Sequence, residues 1–150
     1  MEVNTLGPFN CAKAALPALR RSGRGRIVNI ASTVPIKGPP NMAHYVASKG
    51  AVIAFTRSLA RELARDRITV NAIAPGLTLV EATEYVPEAR HQYYRQGRAI
   101  ERAQMPDDVT ATVLFLLSYS LCHVYVSSHF FRASCRERLS PLFFLLVQSI

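Results

Sequence analysis

Cysteine and glycine are scarce in this 150-residue chain, which holds three of the first and seven of the second. The odd set Cys11, Cys122 and Cys135 leaves one thiol unpaired and excludes a disulfide scaffold. So few glycines exclude a collagen-like repeat, and a hydrophobic content of 49% excludes a disordered tail. The longest apolar run near the C-terminus, Leu142 to Val147, falls far short of the roughly 20 residues that span a bilayer. Met1-Glu2-Val3-Asn4 lacks the basic and apolar regions of a secretory signal. No membrane partner is expected, and the expected location is cytoplasmic, where thiols stay reduced. The length suits one domain with a core of its own.

Acids are also few, with Asp+Glu 10 against Lys+Arg 18 and a net charge of +8. Only Lys13, Lys37 and Lys49 are lysines, and the arginines are scattered along the chain. Nucleic-acid binding calls for a basic stripe interleaved with aromatics and a reader motif, and neither is present. Arg57, Arg61 and Arg65 follow an i, i+4 spacing beside Glu62 and Asp66, as on a solvated helix face. No nucleic-acid partner is expected.

The apolar spacing of Val3, Leu6, Phe9, Cys11, Ala14, Ala15, Leu16 and Leu19 predicts a helix over residues 2–22. Pro17 predicts a kink or break within it, and Gly23 follows as a stop. Cys11 is expected to be a small buried hydrophobe. Residues 26–31 form a β-branched run suited to a buried strand, and residues 32–44, with Pro35, Gly38, Pro39 and Pro40, are expected to be loop. A second helix is expected from Tyr45 to Arg65 with Val52, Phe55, Leu59 and Leu63 inward, then a second strand over 68–74 closed by Pro75-Gly76. Residues 77–105 read as irregular around one short helix, and Pro106-Asp107-Asp108 opens a third long helix through Leu117. Helices alternating with strands at these lengths predict a parallel sheet with flanking helices. After Ser118 the text loses glycine and any clear period, with one weak β-like piece at 122–126.

The sharpest chemical constellation is Ser32, Tyr45 and Lys49. Tyr45 and Lys49 stand one helical turn apart, so they share a face at the start of a helix. Ser32 follows the C-terminal end of a strand, where open parallel sheets bind ligands. A free phenol, with a pKa of about 10, is a poor base near neutrality, and a neighbouring ammonium stabilises its phenolate. Such a trio suits proton transfer coupled to hydride transfer from a bound cofactor. Alone, Tyr-x-x-x-Lys is equally compatible with an exposed pair packed along its stems. Asn4 alone reads as a helix cap. His44, next to Tyr45, is expected to have no chemical role, and the tail His and Cys lack metal-ligand spacing.

Five segments together carry a resemblance: Val3-Asn4 with Gly7 and Phe9, residues 25–32 (GRIVNIAS), residues 45–51 (YVASKGA), residues 70–76 (VNAIAPG), and Arg102 with Pro106-Asp107-Asp108-Val109. In order and spacing they resemble the short-chain dehydrogenase/reductase family over residues 2–118. The resemblance implies an oxidoreductase that transfers hydride between NAD or NADP and an alcohol or carbonyl substrate. It implies Asn4 as the residue ordering a relay water, Ser32 as the substrate-orienting hydroxyl, Tyr45 as the acid/base and Lys49 as its cationic neighbour. It also implies Tyr45, Lys49, Pro75, Gly76, Leu77 and Thr78 as cofactor contacts. The family is usually homo-oligomeric, implying a partner surface on the two long helices around Ala14, Ala54 and Phe55, unless those residues face their own sheet.

Two departures shape the expected architecture. The family's Gly-rich phosphate-binding turn, with its strand and helix, has no counterpart, since Gly7, Gly23, Gly25, Gly38, Gly50, Gly76 and Gly97 never cluster. The expectation is an incomplete Rossmann-like α/β sandwich lacking the N-terminal dinucleotide-binding units, with Met1 matching an internal methionine of the family. The Gly-rich end of the family is missing too. Residues 1–118 are therefore expected to be the family-derived domain and residues 119–150 a divergent tail, from a shifted frame or unspliced sequence. Such a chain is expected to be inactive by itself, or to act by associating with full-length relatives.

Overall fold

The computed structural model describes residues 2–118. The chain opens on a π-helical turn, Glu2–Leu6, that runs into α1, Gly7–Ser22. Strand β1 is Arg26–Ile30, helix α2 Val34–Lys37 and helix α3 Ala43–Glu62. Strand β2 is Thr69–Ile73, α4 is Glu88–Gln96 and α5 is Pro106–Leu117. The β1 and β2 strands pair in parallel, with Arg26 opposite Thr69 and Ile30 opposite Ile73, so α3 is the crossover between them. This is a partial Rossmann-like α/β fold.

The core forms where α1 and α3 meet one face of this sheet. Leu63, Ile68 and Val70 are its buried centre, with Leu16, Leu19, Ile27, Leu59 and Ala60 packed around them. Ile27 and Asn29 share that face by the strand period of two, and Asn29 Nδ2 donates to Thr56 Oγ1 of α3 at 2.9 Å. Both groups are buried, so this hydrogen bond satisfies polar atoms that would otherwise be costly there. Helix α5 packs on both strands and buries Leu116.

Several expectations are corrected. The first helix divides at Leu6, and because a π-helical turn holds more residues than an α-turn, the apolar phase shifts across it. Val3, Leu6 and Phe9 are consequently exposed, and so is Cys11, while Ala12, Leu16 and Leu19 face the core. Pro17 leaves α1 unbroken. The 32–44 segment is not all loop. Pro35 at the first turn and Gly38 in the left-handed conformation bound the short helix α2. Helix α3 begins two residues before Tyr45 and ends at Glu62, followed by a 3-10 turn, Ala64–Asp66. The expected short helix in 77–105 is α4. The β-like piece at 122–126 and the tail lie outside the described residues.

Candidate active site

The site is built at the carboxyl ends of the two strands. Backbone pairing continues past β1, with the Ala31 N–H donating to Ile73 O at 2.8 Å and the Thr33 N–H to Pro75 O at 3.2 Å. Ser32 lies between these two bonds and is thereby held beside the Pro75-Gly76 turn. Its half-buried Oγ accepts from the Val34 N–H at 3.3 Å, which opens α2 and leaves the hydroxyl proton for another acceptor.

Helix α3 brings the phenol and the ammonium. Asn41, in the left-handed region at φ 62, reverses the chain just ahead of it. Tyr45 sits in its first turn and Lys49 in the next. Lys49 Nζ lies 5.9 Å from the centre of the Tyr45 ring and donates to Ile30 O, the last carbonyl of β1, at 2.9 Å. Burial lowers the Lys49 pKa below its ordinary 10.5, because a less hydrated ammonium is harder to keep charged. No hydrogen bond joins Ser32 to Tyr45 among the described residues.

Asn4 is no simple cap. It lies within the π-helical turn, and its Nδ2 donates to Ser48 Oγ at 3.3 Å. Ser48 is only 2% exposed and donates in turn to Tyr45 O at 2.8 Å. Asn4 is thus linked, through one hydroxyl, to the helical turn that carries Tyr45.

The Pro75–Thr78 turn is covered by the segment after it. A Cβ on Gly76 would meet Gln104 Oε1 at 3.2 Å, Arg98 Nη2 at 3.3 Å and Tyr94 Cδ1 at 4.0 Å, so the absence of a side chain there permits this approach. Arg98 donates to Leu77 O at 2.8 Å and to Gln104 Oε1 at 3.1 Å, and desolvation lowers its pKa. Thr78 bridges Gln104, and its carbonyl accepts from Thr83 Oγ1 at 2.7 Å. Helix α4 also reaches across to α2 and to Met42, the residue just ahead of α3. Lys37 Nζ sits 4.8 Å from the centre of the Tyr94 ring, and Arg90 Nη1 lies 3.1 Å from Met42 Sδ.

Ser48, Tyr94, Arg98 and Gln104 were not singled out by sequence reasoning. Tyr94 and Arg98 had a faint signal, the i, i+4, i+8 spacing of Arg90, Tyr94 and Arg98. Among the described residues, no group of three or more His, Cys, Asp or Glu could hold a metal ion. Nor is any described helix long and apolar enough to cross a membrane.

The fit to a nicotinamide cofactor is divided. Lys49 carries three N–H donors and gives one to Ile30 O, which leaves two for a sugar diol next to Tyr45. A grip on the cofactor's diphosphate is another matter, since the chain has no cluster of glycines opening a helix.

A parallel strand pair with Ser32, Tyr45 and Lys49 at its carboxyl end belongs to the class of partial Rossmann-like α/β folds. Residues 1–127 match the family described as enoyl-(acyl carrier protein) reductase, and the chain belongs to the short-chain dehydrogenase/reductase family. It is 38% identical over 118 residues to the 3-oxoacyl-[acyl-carrier-protein] reductase FabG of Staphylococcus aureus (strain Mu50), covering 79% of this chain and 48% of that one. Identity to the 3alpha-hydroxysteroid dehydrogenase of Mediterraneibacter gnavus is 40% over 118 residues, again 79% of this chain and 47% of the relative. Among solved structures, a 3-oxoacyl-[acyl-carrier protein] reductase from Brucella melitensis superposes with a TM-score of 0.74 at 32% identity, covering 81% of this chain and 46% of that one. The chain therefore spans about half the length of the curated relatives it matches.

Proposed function

We propose that this chain carries the catalytic half of an NAD- or NADP-dependent dehydrogenase or reductase acting on an alcohol or carbonyl group. The observation that carries the reading is the Lys49 ammonium, fixed to the last carbonyl of β1 and one turn from the Tyr45 phenol. A bound nicotinamide supplies or accepts the hydride. In the reducing direction Tyr45 gives its proton to the carbonyl oxygen as charge develops there, and in the oxidising direction it takes that proton back. Lys49 favours the phenolate by its charge, and its two remaining donors hold the nicotinamide ribose. Ser32, with a free hydroxyl proton, orients the substrate oxygen. Asn4 presents its amide oxygen to a water that replenishes the Tyr45 proton. Pro75, Gly76, Leu77 and Thr78 line the nicotinamide side, and α4 with its flanking turns forms the substrate cover.

The same reading makes cofactor affinity low for these 150 residues by themselves, because their seven glycines form no cluster of the kind that opens a helix onto a diphosphate. Titration of the full chain with NADH and NADPH, followed by a survey of small ketones and alcohols, tests the proposal. Turnover that falls about a hundredfold or more in Tyr45→Phe, with cofactor binding kept, supports it. Saturable binding with turnover indifferent to Tyr45→Phe overturns it.

A second reading has its own support. Ala14 of α1 and Ala54 of α3 are exposed, and the same two helices are joined by Phe9 and Phe55, edge to face at 5.9 Å. Exposed small residues on both helices suit packing against another subunit, so the chain would act by associating with relatives that hold the whole fold. Absence of cofactor binding together with co-purification with a full-length relative favours this reading.

A further inference from the structure

The contacts of Asn4, Ser48 and Tyr45 impose a constraint of proton count. A serine hydroxyl has one proton and two lone pairs. The Ser48 proton is committed to Tyr45 O, 2.8 Å away within the first turns of α3. What Ser48 turns toward Asn4 is therefore a lone pair, which only the NH2 end of an amide can satisfy. The contact found is of this kind, from Asn4 Nδ2 to Ser48 Oγ at 3.3 Å. At 2% exposure Ser48 has almost no access to water that could take over either bond. A reversed Asn4 amide would set two acceptors against each other in a dry place, an arrangement that buried polar groups avoid.

We propose that Ser48 is a positioning residue that selects the orientation of the Asn4 amide and ties the Asn4 turn to the turn bearing Tyr45. With Nδ2 held by Ser48, Asn4 Oδ1 has no donor among the described residues and remains an available acceptor. The consequence for catalysis rests on the reading of Tyr45 as acid/base, since Ser48 acts through Asn4 and touches no reacting atom. The hydrogen-bond arrangement itself stands apart from that reading. A serine buried for packing alone would need only its volume, whereas here its donor and its acceptor are both in use.

The test uses the full chain, labelled with 15N and with 13C at the tyrosine Cζ. In the unaltered protein the Asn4 side-chain amide protons give two separated resonances that exchange slowly. Ser48→Ala is expected to speed that exchange roughly fivefold, the loss of one net hydrogen bond, and Ser48→Thr to restore it. The Tyr45 13Cζ resonance at pH 7 is expected to move in the same direction in Ser48→Ala and Asn4→Ala, with no further movement in the double variant. A folded Ser48→Ala with an unchanged Asn4 amide overturns the proposal, as do resonance displacements that simply add. Should Ser48→Ala fail to fold, Ser48→Cys decides instead. A thiol sulfur is a weaker acceptor for the Asn4 amide, so exchange of its protons should again speed up, and exchange as slow as in the unaltered protein overturns the proposal. Turnover indifferent to Tyr45→Phe, with the Asn4 amide still dependent on Ser48, would sink the functional reading and leave this one standing.

Discussion

Tyr45 and Lys49 form an asymmetric pair. The phenol is half-buried in the opening turn of α3, and the ammonium is anchored by Ile30 O rather than by a carboxylate. A carbonyl orients the cation without cancelling its charge, so the field at the phenol is kept. Lys49→Met removes that charge and should displace the Tyr45 13Cζ resonance at pH 7 in a variant that still folds. A resonance left in place in a folded variant would show that the phenol does not feel the ammonium. A second pair is structural. Asp108 accepts from Arg102 Nη1 at 2.7 Å and from the Met105 N–H at 2.8 Å, half of a capping box at the start of α5. The Arg102 hydrogen bond, and then the Met105 one, hold the Asp108 carboxyl well below its ordinary 3.8. A folded-state pKa below the unfolded one adds stability above the unfolded value, and that stability is lost as pH falls through the folded value. Asp108→Asn should therefore lower the urea midpoint at pH 7, and the gap to the unaltered chain should narrow below about pH 4. An equal gap at pH 7 and pH 3 would remove the carboxylate from the explanation.

At the scale of elements, the strands, α3 and α5 were legible in the sequence because period and punctuation agree there. Val52, Leu59 and Leu63 recur on one face of α3 and reach the core, and Pro106 with two acids marks the α5 start. The phase of α1 was not legible, since nothing in residues 2–6 announces a π-helical turn and the apolar spacing runs smoothly through it. Helix α2 escaped for another reason, as four residues are too few to show a period. Ser32 and Tyr45 could be read as candidates because each lies at an element boundary, and Lys49 because it follows Tyr45 by one helical turn. Ser48 was missed because a small polar residue in a helix reads as neutral until its partners are known. A glycine between α1 and β1 gives an element-scale prediction. Gly25 is buried, and a Cβ there would meet Ile68 Cγ1 at 2.9 Å and Leu19 Cβ at 3.0 Å, both part of the central cluster. Gly25→Ala should cost about 1–3 kcal/mol in urea unfolding, the usual penalty of overpacking. A loss below about 0.5 kcal/mol would mean that β1 can shift away from α1 at little strain.

For the whole molecule the balance of apolar surface decides behaviour. Among the described residues the core holds small and medium side chains such as Val52, Val70 and Leu116, while Val3, Leu6, Phe9, Ile30, Leu114 and Leu117 stand exposed. Among the described residues the two strands pair only with each other, which leaves one edge of each unpaired by them. A two-stranded sheet of this kind gains stability when a further strand or subunit covers it. Two surfaces compete for that role, the β1 edge with Ile30 and the α1–α3 face with Ala14, Phe9 and Ala54. They can be separated because the helix face consists of small side chains, where a long cation blocks close approach without touching the core. The full chain should show a mass in sedimentation that rises with concentration. Ala14→Arg with Ala54→Arg should weaken that association about tenfold or more, equivalent to about 1.4 kcal/mol, if the helices meet. Association unchanged by both cations, and reduced instead by Ile30→Lys, would assign the contact to the open strand edge and remove the helix face as the partner surface.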